Sequence, residues 1–211
     1  MKISYGLTVC NEHEELKNLI EYLIKRINGE DEIVVVYDQN RVTPEVLKVI
    51  EDYKEETNAY PFNFQQNFLE NKNFMNNKCN GDYIFQIDAD EIPESFLVEN
   101  LKSILEDNPV DLIITPRKNL VEGLTPEYIQ KWGWVVNEQG WVNWPDAQKR
   151  IYKNTPEIQW SGHQIHGMVE GYKTFATLPF TEEWSIIHNK TIDRQKNQNE
   201  RYTKIEIGEL K

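Results

Sequence analysis

Continuously apolar runs alternating with stretches of helical spacing constrain this chain more than any other feature. Ile33-Val34-Val35-Val36-Tyr37 is β-branched and apolar on both faces, as strands buried inside a parallel sheet are. Residues 2–9, 82–87 and 112–115 read the same way, and a shorter strand is expected near 60–64. Between them, Leu16, Leu19, Ile20, Leu23, Ile24 and Ile27 recur at three- and four-residue spacing up to a stop at Asn28-Gly29, which predicts an amphipathic helix. Thr43-Pro44 opens a second helix by cap and first-turn proline. A polar helix is expected near 65–78, and another from Pro93 with Leu97, Leu101, Ile104 and Leu105 on one face. This rhythm predicts an α/β fold, a mostly parallel central sheet flanked by helices.

Such sheets bind ligands beyond the carboxyl ends of their strands. Three polar clusters fall there: Thr8 to Glu12, Asp38 to Arg41, and Asp88 to Glu91. Asp88 and Asp90 are separated only by Ala89 after the strand 83–87. On extended backbone, residues two apart point the same way, so both acids are expected to face one point. Two like charges so aimed repel unless a cation or strong donors compensate, and a hard divalent metal carrying a diphosphate is the expected guest. The plainer reading, acids ahead of a helix N-terminus, is favourable by only about 0.3–1 kcal/mol. The glycine fingerprint of dinucleotide folds is missing.

Beyond about residue 117 the texture changes, and all six tryptophans lie in that half. A smaller Trp-rich lobe on the same sheet is expected, within one domain spanning 1–211. Residues 1–116 would form the donor-binding half and 117–211 the acceptor-side half. Most of the tryptophans are expected to be structural, with Trp141, Trp144 and Trp160 as candidates for stacking on an acceptor.

Net charge of −12 argues against a broad nucleic-acid surface, although a basic cluster stands at Lys149, Arg150 and Lys153. No apolar run approaches the ~20 residues that span a bilayer. The opening residues carry no secretory apolar region, and two cysteines are too few for a disulfide framework. A cytoplasmic protein is expected, with peripheral attachment at the inner membrane face left open.

The ordered blocks resemble family 2 glycosyltransferases with the GT-A fold, especially the bacterial branch acting on lipopolysaccharide core and related glycans. The blocks are Leu7 to Glu12, Asp31 to Asp38, Lys72-Asn73-Phe74, Gly81-Asp82-Tyr83 with Ile87 to Glu91, Pro145 to Lys153, Gly162 to His166, and Ile187-His188. The resemblance implies a metal-dependent transferase, using Mn²⁺ or Mg²⁺, that moves sugar from a nucleotide-diphosphate donor, expected to be a UDP-sugar. The acceptor would be a glycan or lipid-linked saccharide, with modified-base DNA a remote alternative. It implies nucleotide-sugar contacts from Thr8, Asn11, Glu12, Asp38, Lys72 and Asp88. Asp38 would accept the N–H of a pyrimidine ring, and Lys72 would offset phosphate charge. Metal ligation would fall to Asp90, Asp88 and His188, an imidazole among oxygen ligands being suited to manganese. Arg150 and His166 would stand near acceptor or diphosphate. Asp146 is the first candidate for general base and Glu91 the second, while a turn role for Asp146 after Pro145 stays open. The chain departs from the family at Asp38-Gln39-Asn40-Arg41, where Asp-Gly-Ser-Thr is common. The rival readings are a metal-dependent nucleotidyltransferase, for which no basic glycine-rich loop is present, and a non-catalytic glycan-binding scaffold of the same fold.

Overall fold

The structure is a computed structural model and describes residues 1–209; the last two residues of the expected acceptor-side half lie outside the described residues. Along the chain run β1 (Ile3–Val9), α1 (His13–Ile24), β2 (Glu32–Asp38), α2 (Pro44–Asp52), β3 (Thr57–Phe62) and α3 (Phe68–Asn76). Next come β4 (Tyr83–Asp88), β5 (Glu91–Pro93), α4 (Ser95–Asp107), β6 (Leu112–Glu122) and α5 (Pro126–Trp132). The remainder is β7 (Val142–Lys153), β8 (Gln159–Ser161), β9 (Met168–Glu170), β10 (Phe175–Thr177), β11 (Ile186–Thr191) and α6 (Ile192–Glu206).

Nine strands share one sheet in the order β3-β2-β1-β4-β7-β6-β11-β5, with β10 also paired to β6. Strands β1 to β4 pair in parallel, as do β6 with β10 and β11. Strand β7 is antiparallel to both its neighbours. Three strands from the second half, with β6 crossing into it, therefore complete the central sheet, and among the described residues β8 and β9 stand apart as a two-stranded ribbon.

The apolar runs are continuous because both faces are covered. Ile33 and Val35 enter one core, with Leu16, Leu19, Ile20 and Leu23 of α1 and Leu97, Leu101 and Leu105 of α4. Val34 and Val36 enter the other, with Met75 of α3 and Tyr152 of β7. The four α1 side chains have no solvent exposure, and each such burial contributes about 1.5–3 kcal/mol. On the α3 side β1 carries Gly6, where a Cβ would come within 2.5 Å of the Met75 sulfur. A side chain there would have to displace the Met75 thioether.

Three expectations shift. Pro93 does not open a helix; it sits in the terminal strand β5, paired with Ile186, a sheet edge where a missing N–H is tolerated. The helix starts at Ser95 after Glu94. The strand expected at 112–115 runs on to Glu122, because Arg117, Lys118 and Asn119 find partners across the sheet. Helix α1 ends at Ile24, before Asn28-Gly29.

Candidate active site

The carboxyl ends of β1, β2 and β4 meet along one rim. Thr8 is in register with Asp88, and Thr8, Asp38 and Asp88 share the strand parity of Val34 and Val36, the α3 face. The ends of β6 and β11 reach the same rim, since β11 places His188 beside Asn119 on one side and Glu91 on the other. Helices α3 and α6 wall a cleft of about 1300 Å³ above it. Eight Lys or Arg and seven Asp or Glu line this cleft, in a chain whose net charge is −12. Cations are thus concentrated where an anionic ligand would sit.

Asp88 and Asp90 do not converge as two residues of one extended strand would. β4 ends at Asp88, and Ala89 and Asp90 form a turn, so the two carboxylates take different partners. Asp88 accepts from Thr8 Oγ1 at 3.1 Å, Gln86 Nε2 at 2.8 Å and Arg150 Nη2 at 3.0 Å. Lys72 Nζ lies 3.9 Å away. Burial alone would raise its pKa, but Lys72, Arg150 and these hydrogen bonds outweigh it and hold the carboxyl well below the usual range. Asp90 instead faces His188, Oδ2 to Nε2 at 3.3 Å, with Arg194 Nη2 at 3.6 Å. Its pKa is also lowered, burial being outweighed by His188 and Arg194.

His188 Nδ1 lies 2.9 Å from Asn119 Oδ1. Asn119 Oδ1 can only accept, so Nδ1 donates to it and Nε2 is the nitrogen turned towards Asp90. Metal-binding histidines are commonly oriented in this way through their second nitrogen. Among the described residues no group of three or more His, Cys, Asp and Glu stands ready to hold a metal. Asp90 and His188 nonetheless fit a divalent ion that draws its other ligands from phosphate oxygens and water. Asp88 does not complete a three-residue set, because Arg150 occupies it.

Beneath the rim lies an ion-paired floor. Glu91 has no solvent exposure and accepts from Arg117 Nη1 at 2.8 Å, Arg150 Nη2 at 2.9 Å and the Asp88 N–H at 3.1 Å. Its candidacy as a general base gives way to this, since a carboxylate sealed between two guanidiniums cannot reach an acceptor. Arg150 is equally committed. It is 3% exposed and donates to Gln86, Asp88 and Glu91, so it braces the floor instead of facing acceptor or diphosphate. Asp146 does line the cleft and is part of β7, not a free turn residue. Its Oδ2 takes Arg117 Nε and Nη2 at 2.9 and 2.7 Å and Asn119 Nδ2 at 2.9 Å, while Oδ1 takes only Gln148 Nε2 at 2.6 Å. Burial is again outweighed, here by Arg117, Asn119 and Gln148, and the pKa falls.

The other expected contacts divide. Asp38 is 4% exposed, takes the Asn40 N–H at 3.0 Å and Arg41 Nε at 2.6 Å, and lines the cleft with Asn11 and Glu12. Glu12 Oε2 accepts the N–H groups of Cys10 and Asn11, both at 2.9 Å, and Oε1 accepts from Arg194 at 3.1 Å. It shapes the loop after β1. Lys72 stands 4.0 Å over the Trp160 ring; burial pushes its pKa down to about 8, against the pull of Asp88. Trp160 is 9% exposed. Its Nε1 donates to Tyr152, and its main chain is clamped by the Asn73 side chain, so it serves as a platform for Lys72 more than as a stacking surface. Trp141 and Trp144 pack edge to face against each other and are absent from the cleft lining, where Trp134 appears instead. His166 lines the cleft, stacked on His163 and 3.6 Å from Glu206.

Sequence reasoning missed Arg117, Asn119, Arg194, Arg201 and Tyr202. The first two share the strand parity of Ile113 and Thr115, a signal that a longer β6 would have exposed. The others recur along α6 at helical spacing, a helix the sequence reading did not assign.

Glycosyl transferase family 2 matches residues 4–203, and the chain belongs to that family. No curated protein sequence matches it. Among solved structures, S. aureus TarS 1-349 is similar with a TM-score of 0.63 at 14% identity, over 90% of this chain and 60% of that one. The same protein in complex with UDP-GlcNAc gives 0.57 at 17% identity, over 87% of this chain and 60% of that one. The mannosyltransferase PcManGT from Pyrobaculum calidifontis, in complex with GDP-Man and Mn²⁺, gives 0.54 at 12% identity, over 88% of this chain and 55% of that one. The fold is therefore GT-A, and the chain spans about 60% of the TarS fragment's length. Among the described residues no helix is long and apolar enough to cross a membrane.

Proposed function

We propose that this chain transfers a sugar from a nucleoside-diphosphate donor, a UDP-sugar first among them, to a hydroxyl of a glycan or lipid-linked saccharide. Transfer proceeds by one displacement with inversion. The observation that carries the reading is the meeting of Asp90 with an Asn119-oriented His188, at a rim where a negatively charged chain gathers its cations. Family membership supports it, as do similar folds in complex with UDP-GlcNAc and with GDP-Man and Mn²⁺.

In this reading Asp90 and His188 would hold a divalent ion, Mn²⁺ or Mg²⁺, whose charge would stabilise the departing diphosphate. Lys72 adds a fixed positive charge beside Asp88, and Thr8 and Asp88 receive the ribose. Asp146 is the proposed base. Arg117 and Asn119 keep it ionised, and Oδ1, with a single protein partner, retains lone-pair capacity for an acceptor proton. Its depressed pKa makes it a weak base, suited to taking the proton late, as the acceptor oxygen bonds to an oxocarbenium-like carbon. The proposed setting is the cytoplasm, with the acceptor presented at the inner membrane face.

Calorimetry with UDP and UDP-GlcNAc, with and without Mn²⁺, tests the donor half. Tight binding should require the ion, and Asp90→Ala should lose that dependence. Binding indifferent to Mn²⁺ in both proteins would remove the metal reading, and no binding of any nucleotide sugar would leave a glycan-binding scaffold. Asp146→Asn should lower turnover far more than donor affinity.

A further inference from the structure

The loop after β2 departs from the family pattern, and its geometry says what that departure reads. We infer that Arg41, paired with Asp38, selects nucleobases carrying a carbonyl next to a ring N–H (uracil or guanine) and rejects those carrying an amino group next to a bare ring nitrogen (cytosine or adenine). The inference rests on the proposed donor site and names the base that site accepts.

Arg41 is fastened at one point. Nε donates to Asp38 Oδ2 at 2.6 Å, and Cζ stands 5.4 Å from the centre of the Phe64 ring, an arrangement that favours a guanidinium. Among the described residues neither terminal nitrogen has a protein hydrogen-bond partner, so four N–H donors remain unspent. The turn does not need this side chain. It is closed by the main-chain N–H groups of Arg41 and Val42 donating to the Asp38 carbonyl, at 3.2 and 2.8 Å, by the Asn40 N–H on Asp38 Oδ1, and by Asn40 Nδ2 on Asn63. Arg41 keeps 39% of its side-chain exposure beside a nearly buried Asp38. Asp38, Arg41 and Phe64 all line the cleft.

The pair has fixed polarity. A guanidinium only donates, and a carboxylate paired with it only accepts. Side chains such as Asn, Gln or Ser can turn and present either character, but these two cannot. A donor beside an acceptor matches uracil O4 and N3–H, or guanine O6 and N1–H. Cytosine would set its amino group against Arg41 and its bare N3 against Asp38, two repulsive contacts in place of two bonds. Adenine does the same with its amino group and N1. Sites built to pair buried polar groups reject a mismatched partner strongly, and one such two-bond contact discriminates by roughly fivefold to more than a hundredfold.

The test compares UDP, GDP, CDP, ADP and pyrophosphate by calorimetry against the unaltered protein, Arg41→Gln and Arg41→Ala. The unaltered protein should bind UDP or GDP at least about fivefold more tightly than CDP and ADP; the two expected nucleotides separate the pyrimidine from the purine case. Arg41→Gln should bring the four nucleotides towards equality while leaving pyrophosphate unchanged, because an amide can flip to suit either pattern. Arg41→Ala should weaken UDP or GDP most. Equal affinities in the unaltered protein, or undiminished discrimination in Arg41→Gln, overturns the inference. A uniform loss of all five ligands in the variants would show Arg41 to be a phosphate contact and also overturn it. If the unaltered protein binds none of the five, the donor reading itself fails first.

Discussion

Replacing Glu91 with Gln tests the ion-paired floor, and the outcome separates a scaffold role from a chemical one. The change keeps volume, so no cavity term enters. Oε1 of Glu91 accepts from both Arg117 and Arg150, and Oε2 accepts the Asp88 N–H. An amide placed there must aim its NH₂ either at a guanidinium or at that N–H, donor against donor. Glu91 has no side-chain exposure, Arg150 4% and Arg117 19%, so solvent screens little of the loss. Breaking a buried pair from one side costs about 3–5 kcal/mol. At about 2–4 °C per kcal/mol for a domain of this size, the melting temperature should fall by roughly 6–20 °C. Urea unfolding of Glu91→Gln beside the unaltered protein measures the free-energy loss directly. A stability change below about 1 kcal/mol, with turnover abolished, would refute the reasoning and return Glu91 to the chemistry.

Three further outcomes are expected. Asn119→Ala should weaken Mn²⁺ binding about 10–100-fold by releasing the His188 ring, read by Mn²⁺ electron paramagnetic resonance; unchanged affinity would mean the ring is held otherwise. Lys72 loses its charge from about pH 8 in the free protein, so UDP affinity should be fully present below that pH and decline above it, and Lys72→Met should flatten the profile. Asp88 has a folded pKa far below its ordinary 3.8, so the stability it confers is complete above that value and lost as pH falls beneath it. Acid unfolding of Asp88→Asn should therefore show a shallower limb below about pH 4; an identical limb would place the acid sensitivity elsewhere.

The parallel half of the sheet was legible because its strands are apolar on both faces and end in polar residues. Ile33 to Val36 could be little else. What failed were signals needing a partner far along the chain. Pro93 looks like the first residue of a helix until β11 is known to pair with β5. Arg117 and Asn119 look like loop residues until Asp146, 29 and 27 residues away, supplies their bonds. The Asp-Ala-Asp spacing pointed to the right place, yet extended geometry gave the wrong aim, because the chain turns at Ala89. His188 and Asp90 are 98 residues apart; only the family resemblance brought them together in advance. Most tryptophans are structural as expected, but which of them reach the cleft was not legible: an indole's bulk is as useful for packing, as in Trp141 and Trp144, or for carrying Lys72, as in Trp160, as for stacking on a sugar.

The Arg117–Glu91–Arg150 network also sets how the molecule responds to electrolyte. Its charges are shut away from mobile ions, which damp attractions across open solvent within a Debye length of about 8 Å at physiological strength. Arg41 and Arg194, with 39% and 32% of their side chains in contact with solvent, feel more of that damping. Added salt should slow the arrival of a phosphate-bearing molecule while leaving the rim beneath it in shape, so encounter and architecture answer to ionic strength separately.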